Sequence, residues 1–434
     1  MAVTAFTPTT TVGGSATLVK LQRKVQGDIL YLFQRTSKEY ALAKKFGEAG
    51  LDMSGREVTR PVQFTERGGG AFIEDGGYEA EPRSVAPDEE TYTFTQYNDR
   101  VSITGFARMQ DQANRAAMIA RQIKFQVDQM ANGFGRRFAQ CFWGLSSGLV
   151  CKTSTNATSA SQTLTLIDAF GLTETGADNA AYLDRQFCVK DRISVIRSGS
   201  IVSNGFGTIT AKTPATPSIA VTMVGSCDVD ANDEIYFAQS VRNDSADTNS
   251  TDLNKWPVGL TDATDTTTVH NVSSSSVPES GVAYSDTNGG RLNGTKLKAG
   301  QHAIQNKGGD GPYTLLHSQG IERDIFNQQV AAVRFQDPMT MRLDGAVKVG
   351  EGITPFVSKW NVPGRAILMP TGSVQRWFLN PMPDDETGEL PDYGDQTQVD
   401  KVPDRSAHYI GIDAVFALIH KRSRYAKWTN LQES

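Results

Sequence analysis

The stretch GLSSG, Gly144 to Gly148, matches the G-x-S-x-G pattern that sets a nucleophilic serine, here Ser146, on a strained turn. That chemistry needs a strand before the serine and a helix after it, so that the hydroxyl stands exposed. The residues before Gly144 instead carry a helical period, and the pattern reads as a turn that ends a helix. DVDANDE, Asp228 to Glu234, opens like a calcium loop, but Asp233 stands where the turn needs Gly and Gln239 where the shell needs a closing Glu. A polar hairpin turn ahead of the strand EIYFA is the better reading. His270, His302, His317, His408 and His420 include no H-x-x-x-H or H-E-x-x-H pair, so a zinc centre is not expected. His317, at the end of an apolar run, reads as a satisfied core or interface residue. Cys141, Cys151, Cys188 and Cys227 lack C-x-x-C spacing and are too sparse for a disulfide scaffold, so they read as reduced packing residues.

Two stretches could meet phosphate. ERGGGAF, Glu66 to Phe72, has glycines that could cradle an anion, but no G-K-[ST] follows, and Glu66, Glu74, Asp75, Glu79 and Glu81 crowd the same segment. A charged loop tip that meets charges on another subunit fits better. KRSRYAKW, Lys421 to Trp428, is a compact basic run with interleaved aromatics, open to either a nucleic-acid contact or a solvated terminal strand. The net charge of -5 is the wrong sign for a chain whose main task is to grip phosphates. No catalytic, cofactor or metal set is therefore assigned.

What positions these residues is a mixture of helices and strands. With 434 residues, 38% of them hydrophobic, the chain can fold by ordinary burial, and its 40 glycines and Ser/Thr/Asn/Asp tracts favour turns and strands. No apolar run approaches a membrane span, and MAVTAFTPTTTVGG lacks the features of a secretory signal, so the expectation is a cytoplasmic product. Residues 1 to 20 read as an extended arm. KLQRKVQGDILYLFQRTSKEYALAKKF permits a short amphipathic helix through Ile29, Leu30, Leu32, Phe33, Tyr40 and Leu42. In REVTRPVQF and TYTFTQYNDRVSITGF apolar residues alternate, so residues 57 to 105 read as a long hairpin whose two strands flank a Gly-, Pro- and charge-rich tip. Such a ribbon is marginal alone in water and must lean on something else.

A stripe of Ala113, Ala116, Ala120, Ile123, Val127, Met130, Phe134 and Phe138 predicts one helix ending near Gly144, about 26 residues or roughly 40 Å long. Gly133 and Gly135 weaken it, which suggests a close approach there. CVKDRISVI, GFGTITA, SIAVTMVG and DEIYFA predict a small all-β unit at 187 to 240, and the polar tracts that follow read as loops carrying little core. Leu297, Gly300 and Ile304 mark a helix stopped by Gly308 and Gly309, before a buried strand YTLLH. QGIERDIFNQQVAAV predicts a further helix, and ITPFVSKW and RAILM late strands.

Taken in order, these elements resemble the major capsid proteins of tailed bacteriophages. The resemblance rests on the hairpin of 57 to 105, the helix ending FGRRFAQCFWG, the WPVGLTDATDTTTVHNVS connection, YTLLHSQGIERDIFNQQV and VPGRAILM. It implies an α+β fold of the HK-ninety-seven type, with an N-terminal arm and short helix (1–56), an extended loop (57–110), a spine helix and peripheral domain (111–186), the β insertion (187–240), and a polar connection, axial domain and return to the peripheral domain (241–434). It implies a virion shell of pentamers and hexamers around double-stranded DNA that is contacted only weakly. Such a shell is assembled in the host bacterial cytoplasm with a portal, a separate scaffolding protein and possible decoration protein, and without membrane or enzymatic activity. Contacts between copies are expected in the extended loop at Arg60, Glu66, Arg67, Gly68, Gly69, Gly70, Phe72, Glu74, Asp75, Glu79, Glu81 and Arg83, and the stripe of the spine helix at Ile123, Val127, Met130, Phe134 and Phe138. Residues 57 to 105 contain no lysine, so cross-linking through a loop lysine is not expected. The rivals are a tail or surface-layer subunit and, further off, a hydrolase built on Ser146.

Overall fold

The computed structural model describes residues 38–45, 52–54, 57–62, 88–104, 133–174, 176–242, 247–333, 352–378, 400–401 and 407–433. Helix α1 (Lys38–Leu42) and strand β1 (Lys44–Lys45) come first, then β2 (Asp52–Ser54), β3 (Glu57–Val62), β4 (Asp88–Thr93) and β5 (Thr95–Thr104). Residues 133–143 are helical (α2). Next are β6 (Leu149–Thr153), β7 (Ala157–Ile167), α3 (Ala180–Gln186), β8 (Arg192–Arg197), β9 (Ser200–Thr213), β10 (Ser218–Val229), β11 (Glu234–Arg242) and β12 (Asp247–Thr251). After α4 (Leu260–Asp265) come β13 (Thr268–Val269), β14 (Val272–Ser273), β15 (Tyr284–Asp286), α5 (Gly294–Asn306), β16 (Tyr313–His317) and α6 (Gln319–Val333). The chain closes with β17 (Ile353–Val357), β18 (Ala366–Pro370), β19 (Val374–Phe378), β20 (Asp400–Lys401), β21 (Ala407–His420) and β22 (Ala426–Trp428). These elements divide into two compact units, each discontinuous in sequence: Met1–Phe46 with Phe94–Phe142 and Arg376–Ala417, and Gly47–Thr93 with Trp143–Gln375 and Leu418–Ser434.

In the first unit β5 pairs antiparallel with β21 over ten residues, from Thr95↔Phe416 to Thr104↔Ala407. Phe134 and Phe138 of α2 pack with Phe416, their ring centroids 6.1 and 5.6 Å from it, and Tyr97 and Tyr40 complete the aromatic cluster. The described part of the apolar stripe is therefore core. Among the described residues a Cβ at Gly133 would meet only Asp99, at 3.9 Å, an ordinary contact and not the close approach expected from the sequence.

In the second unit β11, β6, β7, β10, β9 and β8 pair in that order, and β11 also pairs with β8. That last pairing closes the sheet into an antiparallel barrel and removes its edges. Burial alternates as a barrel requires: Leu164 and Leu166 on β7, Ile219, Val221 and Met223 on β10. Glycine is needed at 207, where a Cβ would lie 2.4 Å from Val221 and 2.6 Å from Met223. Residues 187–240 are thus not a separate unit, because their strands pair with β6 and β7, which the sequence disguises as a Thr- and Ser-rich tract.

The other large sheet of this unit has the order β15-β22-β18-β16-β17, and all five residues of β16 and of β18 are buried. Helix α5 begins at Asn293, whose side chain caps the Lys296 amide, and ends at Gly308 (φ 71°). Its Gly300 lets the helix approach Trp428, 2.6 Å from where a Cβ would sit. The polar tracts expected to be loops contain β12, α4 and the hairpin β13–β14, and contribute buried Leu260, Ala263, Val269 and Val272.

Candidate functional site

The ribbon is a three-stranded antiparallel sheet, β2-β3-β4, with β3 paired to β4 from Glu57↔Thr93 to Val62↔Asp88. It is shorter than the sequence suggests, because the chain breaks at Phe94 and β5 leaves for β21. Among the described residues of β3 and β4 only the cross-strand partners Val58 and Tyr92 are buried. Pro61 lies beyond Thr59, the last residue of β3 that pairs with β2 among the described residues, a position that tolerates the missing amide.

The root of the ribbon is held by a buried histidine pair. His270 and Asn271, both at positive φ (51° and 66°), form the two-residue turn between β13 and β14. The His270 carbonyl accepts from the Thr91 amide at 2.8 Å, and its ring meets Tyr92 edge-on at 4.7 Å. The His420 amide donates to His270 Nε2 at 3.2 Å, so that nitrogen carries no proton. His420 also meets the Val258 carbonyl at 2.9 Å and the Tyr425 hydroxyl at 3.2 Å. Burial holds both imidazoles neutral, lowering His270 to about 3 and His420 to about 4.

Beside this pair lies a cavity of about 490 Å³. Among the described residues, the cations Arg60, Lys307, Lys421, Arg422 and Arg424 line it with the carboxylates of Glu90 and Glu279. Arg60 and Glu90 are cross-strand partners in the ribbon, and Glu90 also accepts from the Tyr92 hydroxyl. Burial pushes the Glu90 carboxyl up, although Arg60, Lys421 and Arg422 all favour its ionised form. Arg422 is 5% exposed and donates only to the carbonyls of Thr266, Thr267, Val272 and Ser280 and to the Ser280 hydroxyl. Lys307 caps the carbonyls of Pro278, Glu279 and Gly281, and burial lowers its pKa.

The expected chemistry is absorbed into structure elsewhere. Ser146 sits in the turn after α2, where its amide donates to Asp262, and Thr261 donates to the Trp143 carbonyl at 2.5 Å. Asp228, Asp230 and Asp233 sit at the β10–β11 turn with Arg197 among them, 2.7 Å from Asp230 and 2.8 Å from Asp233. KRSRYAKW is not an exposed basic run: Arg422, Tyr425, Ala426, Lys427 and Trp428 are buried, and Lys427 pairs with Asp265 at 2.6 Å. Its β22 is an internal strand of the sheet, which the sequence reading of a solvated terminal strand did not anticipate. Buried Arg365 also pairs with Asp265, and although burial opposes ionisation, the two cations hold that carboxyl below its ordinary range.

Of the loop residues singled out from the sequence, Arg60 lies on β3; Glu66, Arg67, Gly68, Gly69, Gly70, Phe72, Glu74, Asp75, Glu79, Glu81 and Arg83 lie outside the described residues. Of the helix stripe, Phe134 and Phe138 are each 1% exposed, and Ile123, Val127 and Met130 lie outside the described residues. The sequence reading missed the histidine pair and the cavity. The signal was VHNV, a turn-prone His-Asn between β-branched residues.

No family model matches the chain, and no curated protein matches it. Among solved structures, it is similar to the capsid asymmetric unit of cyanophage A-1(L), with 11% identity over 90% of this chain and 91% of that one and a TM-score of 0.43. It is similar to a chain of the satellite phage P4 procapsid that includes the size determination (Sid) protein, with 7% identity, 99% and 94% coverage and a TM-score of 0.40. The cyanophage P-SCSP1u capsid gives 8%, 91% and 87%, and 0.37. All three are phage capsid structures. Among the described residues no helix is long and apolar enough to cross a membrane.

Proposed function

We propose that the chain is the major structural protein of a phage capsid, many copies of which assemble into an icosahedral shell around double-stranded DNA. The observation that carries the reading is the ten-residue pairing of β5 with β21, beside the aromatic face of α2. It supports the return of the chain to the unit that holds α2 after the body is complete, which is the order of elements that the capsid resemblance implies. The ribbon supports it further, since β3 and β4 bury only the Val58–Tyr92 pair among their described residues. In this reading α2 belongs to a spine, and the segment between β3 and β4 reaches over a neighbouring copy. Pentamers and hexamers then form with a separate scaffolding protein and a portal in the host cytoplasm, leaving an outer face open to a decoration protein. The net charge of -5 suits a wall that must not hold duplex tightly during packaging and ejection.

The test is negative-stain electron microscopy of the purified full chain, alone and co-expressed with a candidate scaffold. Closed shells are expected. Tubes or sheets under every condition favour a tail or surface-layer subunit, and monomers throughout exclude a shell protein.

A further inference from the structure

Of the two buried histidines at the root of the ribbon, one can take a second proton without losing a partner and the other cannot. The Val258 carbonyl only accepts, so His420 Nε2 carries a proton. The Tyr425 hydroxyl lies 3.2 Å from His420 Nδ1 and 3.2 Å from the Ser373 carbonyl. It donates to Nδ1 while the ring is neutral and turns to Ser373 when Nδ1 is protonated, so a charged His420 keeps both of its ring hydrogen bonds. His270 has no such alternative. Its Nε2 accepts from the His420 backbone amide, and a proton there would set two N–H groups against each other and break the bond.

That bond matters because His270 is where β4 meets the body. Its carbonyl holds the Thr91 amide, its ring lies edge-on to Tyr92, and its backbone stands at φ 51°, a conformation that a non-glycine residue keeps only where its surroundings fix it. Among the described residues of β3 and β4 only Val58 and Tyr92 are buried, so little apolar surface opposes local opening there. We propose that His270 is an acid-operated latch for the ribbon: a proton on its Nε2 unfastens the His420 amide, the β13–β14 turn lets go of Thr91 and Tyr92, and β3 and β4 detach while the barrel stays folded. The latch belongs to a single copy and does not depend on the capsid reading.

Burial, with the charges of His420 and Arg422, holds His270 at about 3 in the closed state, against an ordinary value near 6.5. The open state therefore binds the extra proton and gains on the closed one as pH falls through that interval. The same cavity is faced by Arg60 and Glu90 of the ribbon, by Glu279, Lys307, Lys421 and Arg424 of the body, and by Tyr92. Lysine and arginine do not titrate between pH 7 and pH 5. Burial raises the Tyr92 and Tyr425 hydroxyls, which stay protonated. Glu90 works in the opposite sense: burial raises its carboxyl, so the closed state takes up that proton first and is favoured by it.

Hydrogen exchange of the dilute full-length chain, read by mass spectrometry and corrected for intrinsic rates, tests the latch. Between pH 7 and pH 5 the protection of a peptide spanning β4 should fall roughly 20-fold, the linkage expected of one histidine, while peptides from β7 and β10 keep theirs. His270→Asn accepts positive φ and does not titrate, so it should give β4 the same protection at both pH values, with β7 and β10 reporting that the variant is folded. Glu90→Gln should leave the fall in place. Three results would overturn the proposal in the unsubstituted chain or its variants: β4 protection equal at pH 7 and pH 5, β4 and β10 losing protection together, or a fall that persists in His270→Asn. Loss of the fall in Glu90→Gln would overturn it as well, by moving the trigger to the carboxylate.

Discussion

The barrel built on β6 to β11 and the ribbon of β2 to β4 are both antiparallel sheets, but they solve the edge problem in opposite ways. The barrel closes on itself through β11 and buries alternate residues on each strand, and its acidic turn is neutralised by its own Arg197. The ribbon stays open, buries Val58 against Tyr92, and keeps its largest charge density in the segment that joins its strands. The first is stable by its own contacts; the second buries one cross-strand pair and is anchored at its root by His270, and in the proposed capsid reading it gains further buried surface from a neighbouring copy. On that reading assembly can be lost without unfolding.

The contrast can be broken most forcefully inside the body. Phe237→Ala, at a side chain fully buried beside Phe187 and Trp256, is expected to cost about 3–5 kcal/mol in urea denaturation. Substituting Thr59 or Glu89 of the ribbon by alanine should cost under about 0.5 kcal/mol. Equal losses would remove the distinction.

Acid should act on the histidine pair that anchors the ribbon. His420 falls to about 4 and His270 to about 3 in the folded chain, against an ordinary value near 6.5. Between those limits the unfolded chain binds more protons, so stability is full above about pH 6.5 and falls as pH drops, by up to about 1.4 kcal/mol per unit for each histidine. Urea midpoints at pH 7 and pH 5 measure this, and His420→Gln should flatten the difference. A wild-type midpoint unchanged at pH 5 would show that the pair is solvated.

Smaller effects sharpen the picture. Gly300→Ala forces a methyl against Trp428, and the expected loss is about 1–3 kcal/mol despite the better helix propensity of alanine. Asn179→Ala removes the cap that accepts from the Tyr182 amide and should cost about 1 kcal/mol by thermal denaturation. A gain at Gly300 would mean that α5 can move away from the sheet.

Legibility in the sequence followed local pattern. The helix with Leu297, Gly300 and Ile304, its glycine stop, the strand YTLLH and the paired arms of the ribbon were readable because period and turn residues agree there. The barrel was cut short because β7, ATSASQTLTLI, hides Leu164 and Leu166 among Ser and Thr, and because closure depends on β11 meeting both β6 and β8, contacts distant in sequence. KRSRYAKW misled because charge signals exposure by default, whereas Arg422 and Lys427 are satisfied by carbonyls and by Asp265. The cavity brings together residues from 60 to 424, so no single stretch announces it.

The central claim is tested most directly by deleting residues 66–81 and comparing the product with the full chain by thermal denaturation and by electron microscopy under assembly conditions. The account predicts a melting transition within a few degrees of the full chain and no closed particles. Normal particles from the deleted chain would contradict it.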